Sequence, residues 1–457
     1  MEPRKLAITG YLTLIVFLIL SIILYKERTA FLDISFHLFA ILKDHSFAIQ
    51  NYRFGAFFTQ LFPLIGEKLG LSLSLIAILY SAAFILLQII TFSLLLLIKE
   101  RKIALAYLLF LVVMTTHTFF WIQSELPQAM AFLFLFAGIF NKAATKGQAS
   151  PAETMTCCLL LLVASFTHPL MIFAFGFLMI FWVLNNPDKR KFAIPFILYY
   201  LALYAIKSFF FKTAYDSQAM DALKNNIARL SIGMQSNRNY AHYFIRDYYV
   251  VAIVLGVLEV YYLRQKKFFH AIFILLSFAG YSLIVNTSYI GGADQFYLEN
   301  QYLILGFIVA IPLALDVFPK IKNSSLQTAL LAVICALCIF RIGKTNKFYA
   351  ARLNWNRQQI ARTNSAPGSK IIIPPAFAPK DTLLMTWGTS YEIWLLSTIE
   401  NNKSASVIIE EQPGEFDWAT PNRKGFITKW GCFDYASLDP RYFKFSDTSS
   451  YIKISLK

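Results

Sequence analysis

Stretches of about twenty apolar residues recur along this chain, and they restrict its fold more than any other feature. A helix rises about 1.5 Å per residue, so about 20 residues cross the roughly 30 Å hydrocarbon core of a bilayer. Inside that core every backbone polar group must be bonded within the protein, which favours helices for runs of this length. Hydrophobic residues make up 57% of the 457 and charged residues 15%, where a soluble domain carries about 25% charged residues. The expectation is an α-helical polytopic membrane protein. Its net charge of +16 does not call for nucleic acid. Much of it sits in short clusters between apolar runs, where topology and anionic headgroups account for it. Cys157, Cys158, Cys335 and Cys338 fall inside apolar runs as small buried hydrophobes, and Cys432 stands alone in the tail, so no disulfide framework is expected. The apolar run from Leu6 reads as a retained first span rather than a removed signal peptide.

Spans are expected at about 6–25, 71–98, 103–120, 126–140, 192–205, 248–263, 268–285, 302–317 and 326–340, with a longer run, 155–184, interrupted by Thr167-His168-Pro169. Basic clusters follow at 99–102, 142–146, 189–191, 264–267 and 320–322. Short Lys/Arg-rich loops belong on the cytoplasmic side. Splitting 155–184 into two short spans at His168-Pro169 keeps all these clusters on that side. The count is then about eleven spans, with the N-terminus cytoplasmic and the tail extracytoplasmic. Short loops favour a bacterial inner membrane. Residues 1–345 form the transmembrane domain, with loop 26–70 carrying interfacial helices, and 346–457 form a small extracytoplasmic α/β domain. In that domain, strands are expected at 369–373, 382–387 and 406–409 and a helix at 391–399. Arg341, Lys344, Lys347 and Arg352 open the tail as ligands for headgroup phosphates, unless the last span is misplaced.

This topology gathers ionisable groups on one side. Loop 26–70 carries Asp33, His37, Asp44, His45, Asn51 and Arg53 among Phe and Leu. Its Phe-rich face reads as an interfacial anchor. His117, Glu125, His168, His242, Asp294 and Glu299 fall on the same side. Ionisable groups at membrane depth usually mark a pathway or a site; the plainer account is that outer loops are wet. Asp33 fits either an N-cap for a helix with Ile34, Leu38, Ile41 and Leu42 on one face, or a general base that takes a proton from a hydroxyl. Glu125 opens a span, where a first-turn carboxylate suits the helix dipole. His168, beside Pro169, is either a polar turn residue or a phosphate ligand or proton donor. Arg238, His242 and Arg246 recur every four residues and share a helical face that suits a phosphate, or simply a solvated one. Tyr297, Glu299, Asn300 and Gln301 stand where a sugar's hydroxyls could be bound. No Walker loop, HExxH pair or GxSxG is present, which argues against an NTPase, a zinc protease or a serine hydrolase.

In layout the chain resembles the GT-C superfamily of membrane glycosyltransferases, which includes the protein O-mannosyltransferases and the aminoarabinose transferases of lipid A. The likeness rests on a large first outer loop with an acid soon after span one, short paired spans in the middle, and a soluble C-terminal domain. It implies transfer of a sugar from a polyprenyl-phosphate donor to a glycan, lipid or protein acceptor on the outer side. Carried over, Asp33 matches the first-loop catalytic aspartate, Glu125 the second-loop acid, and Thr167-His168-Pro169 the basic residue and proline between short spans. Many relatives pair two acids in the first loop; here Leu32 and Ile34 flank Asp33.

The resemblance makes Asp33 the catalytic base. Arg53, His168 or the Arg238/Arg246 stripe would steady the departing phosphate, and His37, Glu125, His242 and Glu299 complete the substrate-binding candidates. No cofactor is expected; the alternative is a divalent cation between Asp33 and Glu125. Partners are the donor lipid, the acceptor and the bilayer, with no nucleic acid. Rival functions are a lipid-linked glycan polymerase or ligase, and a transporter or flippase of such a glycan, the last disfavoured by few mid-span charges and no internal repeat.

Overall fold

The computed structural model describes residues 2–122, 124–229, 231, 233–290, 295–365, 370–383 and 385–454. Asp294 and the side chain of Tyr297 lie outside the described residues. Among the described residues, seven helices are long and apolar enough to cross a bilayer: Pro3–Ile23, Leu73–Leu97, Glu125–Lys146, Pro187–Phe210, Phe268–Ser288, Glu299–Lys320 and Ser324–Thr363. Two shorter apolar helices, Pro151–Thr167 and Met171–Asn185, pack with them. This is a helical, multi-pass membrane protein.

The local chemistry explains several boundaries. Pro151 starts its helix behind a capping box in which Ser150 and Glu153 satisfy each other's backbone. That helix ends at His168, whose backbone is extended (φ −153°, ψ 134°). Pro169 disfavours helical backbone in the residue before it and supplies no N–H, so the interruption read at His168-Pro169 is a true break. Helix Arg101–Val113 is short, at 13 residues. Its last carbonyls are taken by a cation from elsewhere: Arg341 is buried and donates to Val113 O at 2.9 Å and Val112 O at 2.6 Å. Arg341 therefore does not reach out to headgroups as expected.

Helix Ser324–Ser365 runs for 42 residues and passes the expected boundary at 345/346 without a break. Beyond it, strand Lys370–Ile373 lies parallel between Ser406–Ile409 and Ile452–Lys453. Strands Gly425–Thr428 and Gly431–Asp434 form an antiparallel hairpin, and helix Thr389–Asn401 packs against this small unit. Among the described residues, the strand expected at 382–387 does not form. Lys380–Leu383 makes a helical turn instead, and Arg352 draws the Leu383 and Met385 carbonyls toward itself rather than leaving them to a sheet.

The first loop does not lie free on a membrane. Helix Leu32–Asp44 forms as its pattern suggests, but its N-cap is Phe31 and Asp33 falls in the first turn. Its apolar face, Ile34, Leu38, Ile41 and Leu42, is buried. Phe39 stands among the rings of Tyr391, Trp394, Phe426, Phe433 and Phe443 at centroid distances of 5.0 to 5.7 Å. The C-terminal unit thus occupies the face that was read as an interfacial anchor. The exposed aromatics come later in the loop, at Phe47, Tyr52, Phe54 and Phe57.

Candidate functional site

Four segments far apart in sequence bring charged groups together beside this first-loop helix. Arg53, buried on the first loop, is the hub. Its Nη2 donates to Asp216 Oδ1 at 2.9 Å and its Nη1 lies 3.3 Å from Glu125 Oε1. The Tyr215 ring lies against it, 5.2 Å from the guanidinium carbon. Burial opposes its charge, but Glu125 and Asp216 outweigh that and hold the guanidinium above its ordinary range. Arg53 Nε is buried and has no partner among the described residues.

Asp33 stands within reach of the charges of Glu125 and Arg53. Desolvation, reinforced by the Glu125 carboxylate and only partly countered by Arg53, pushes its carboxyl up to about 7. It is half-buried in the first turn of the first-loop helix. One turn on, His37 is buried, and desolvation pushes its imidazole down to about 4. A neutral ring suits its 3.4 Å contact from Gln60 Nε2 to Nδ1. Gln60 also staples the loop, accepting from Ala48 N–H at 2.8 Å and donating to Ala48 O at 3.2 Å.

The far wall comes from the broken pair of helices and the span after it. His168 is buried, and its Nδ1 accepts the Leu170 N–H at 3.2 Å. In a neutral ring that leaves the proton on Nε2. Lys207, also buried, donates to Ser165 O at 2.9 Å, and the charges of Asp216, Arg53 and Glu125 act on it. Tyr80 is fully buried; the charges of Glu125 and Asp33 reach its hydroxyl, which has no hydrogen-bond partner among the described residues. Gly55 seals the first loop against this wall. A Cβ there would stand 1.7 Å from Thr167 Oγ1, so only glycine permits the approach.

Other candidates lie elsewhere or are already occupied. Arg238, His242 and Arg246 are exposed on helix Gln235–Arg246. Their contacts include near neighbours: Arg238 with Gln235 at 3.1 Å, and Arg246 with Asp247 at 2.8 Å and His242 at 3.3 Å. Glu299 is fully buried and accepts from the N–H groups of Thr116, His117 and Thr118 at 2.7 to 2.9 Å, from the Thr116 and Thr118 hydroxyls, and from Tyr248 at 2.7 Å. Its oxygens hold the 116–118 turn and are not offered to a sugar. Among the described residues, no group of three or more His, Cys, Asp or Glu side chains is arranged to hold a metal ion.

Lys207, Asp216 and Tyr80 escaped the sequence reading. Lys207 had a signal: a lone cation at the end of an apolar run, where charge is costly. Asp216 and Tyr80 had none, since one lies in an ordinary polar loop and the other inside a span. On the opposite side, helix Leu32–Asp44 presents Phe36 to Trp387 and Trp430, at 6.3 and 5.2 Å between centroids. Trp430 is 59% exposed, so these rings form a partly open aromatic wall.

No family model matches the sequence, and no curated protein matches it.

Proposed function

We propose that this protein is a membrane glycosyltransferase of the GT-C type, moving a sugar from a polyprenyl-phosphate donor to an acceptor hydroxyl. The observation that carries this reading is the meeting of Asp33, Glu125 and Arg53, with Lys207 and His168 behind them. A carboxyl held near neutrality can take a proton at physiological pH. In the proposed step the acceptor oxygen bonds to the anomeric carbon and its proton passes to Asp33. The bond from that carbon to the phosphate oxygen breaks, and its electron pair leaves with the polyprenyl phosphate. Arg53, through its unpartnered Nε, with Lys207 and the Nε2–H of His168, would meet that growing negative charge. The Trp387–Trp430 wall gives an acceptor sugar's apolar face a surface to stack on.

The same reading carries a topology of eleven crossings. Shorter helices Arg101–Val113, Pro151–Thr167, Met171–Asn185 and Tyr249–Arg264 raise the seven long helices to eleven crossings. An odd number would put the termini on opposite sides, and the positive-inside rule favours a cytoplasmic N-terminus, in a bacterial inner membrane on the proposed reading. The test is a transfer assay on the purified protein with a polyprenyl-monophosphate sugar and, separately, a polyprenyl-diphosphate sugar. Release of polyprenyl monophosphate that requires Asp33 supports the reading. Consumption of the diphosphate donor alone, or transfer undiminished in Asp33→Asn, overturns it.

A further inference from the structure

The residue that sets Asp33 in place comes from the C-terminal unit. Leu32, just before it, has φ +35°, a backbone state that a branched side chain seldom adopts. Glu392, on helix Thr389–Asn401, reaches this peptide: Leu32 N–H donates to Glu392 Oε1 at 2.8 Å. Both residues are fully buried. A helix start leaves its first N–H groups without partners, and here one of them is taken by a carboxylate from more than three hundred residues away in the sequence.

Glu392 is itself fixed. Arg352 Nε donates to its Oε2 at 2.9 Å and Arg352 Nη2 to its Oε1 at 2.8 Å, a fork-to-fork pairing, and Asn356 Nδ2 adds a bond to Oε2 at 3.0 Å. Arg352 is anchored in turn by the Leu383 and Met385 carbonyls and by the Phe31 ring, 5.2 Å away. Gly388 closes the other side: a Cβ there would stand 2.8 Å from Leu32 Cα. The 31–32 peptide is thus gripped by a carboxylate, a ring contact and a bare backbone, all controlled from the C-terminal unit and the long helix that leads to it.

We infer that Glu392, locked by Arg352 and Asn356, is a positioning residue: it holds Leu32 in its left-handed state and so aims the Asp33 carboxyl at the group formed by Glu125 and Arg53. The inference rests on Asp33 being the base of the proposed transfer. A packing role alone predicts only a loss of stability when Glu392 is changed. A positioning role predicts that the first turn of helix Leu32–Asp44 loosens and that kcat falls while donor KM holds.

Two measurements on the full-length protein separate these outcomes. The variants are Glu392→Gln and the double variant Glu392→Leu/Arg352→Met, which removes both buried charges and avoids stranding one of them. Hydrogen exchange should rise about tenfold or more in peptides covering 31–36 and stay unchanged in helix Leu73–Leu97. In the transfer assay kcat should fall about 10- to 100-fold with donor KM within about threefold, and the pH midpoint of the rate should move. Unchanged exchange at 31–36 overturns the inference whatever the activity does. Increased exchange with kcat retained overturns the positioning role. If the wild-type protein transfers no sugar, the glycosyltransferase reading fails, and the exchange result alone decides whether Glu392 sets the Asp33 turn.

Discussion

The Arg53 guanidinium meets the Glu125 carboxylate at 3.3 Å, with Asp216 on its other arm at 2.9 Å. One cation therefore serves two acids directly and a third, Asp33, through its field. Removing it strands the negative charge of Glu125 and Asp216, whose side chains are 20% and 14% exposed. Arg53→Met should cost about 3 to 5 kcal/mol of stability, read as a fall in melting temperature in detergent. Arg53→Met/Glu125→Gln should recover part of that loss without restoring transfer.

Asp33→Asn should lower transfer by about 10²- to 10⁴-fold in the same donor assay. In the wild-type protein the rate should climb with pH through about 7, as Asp33 loses its proton.

The raised carboxyl also predicts a stability profile. Its folded value, about 7, exceeds the ordinary 3.8, so between those limits the native state keeps a proton that the unfolded chain has released. Stability should decline as pH rises through that window, and Asp33→Asn should escape the decline. Melting curves from pH 5 to pH 8 should show the variant gaining on wild type; a constant difference would count against the shifted carboxyl.

Arg238→Ala and Arg246→Ala, singly or together, should leave transfer within about twofold, because exposed charges with local partners contribute little. A loss beyond tenfold would bring that helix into the site.

Gly55→Ala drives a methyl group into Thr167. It should cost about 1 to 3 kcal/mol through overpacking and should lower transfer by shifting Arg53, two residues earlier. Gly55→Ala/Thr167→Ala should recover part of the loss. Melting temperature and rate, measured on the same samples, test both.

Much of this arrangement can be read in the sequence, for reasons that differ by element. Span positions follow from apolar runs, and the His168-Pro169 break follows from proline's missing N–H. Asp33, Glu125, Arg53 and His168 were found because ionisable groups near a membrane are few. The Arg238/Arg246 stripe matched the same criterion, since spacing along a helix says which side chains share a face and not what that face meets. Glu299 looked like a sugar ligand because its Thr116–Thr118 partners come from a distant turn. Glu392 gave no signal either: a glutamate in an amphipathic helix is commonplace until Arg352 and Leu32 close around it.

The 42-residue helix Ser324–Ser365 works as a ruler. At about 1.5 Å per residue it measures about 63 Å, roughly twice the hydrocarbon thickness. Its span end is held by the bundle, and its far end carries Arg352 and Asn356 to Glu392. A flexible tether would let the C-terminal unit wander over the membrane surface. A rigid strut instead holds Glu392, and through it Leu32 and Asp33, at one distance from the spans; under the proposed transfer, that distance would set the depth at which a donor headgroup is reached.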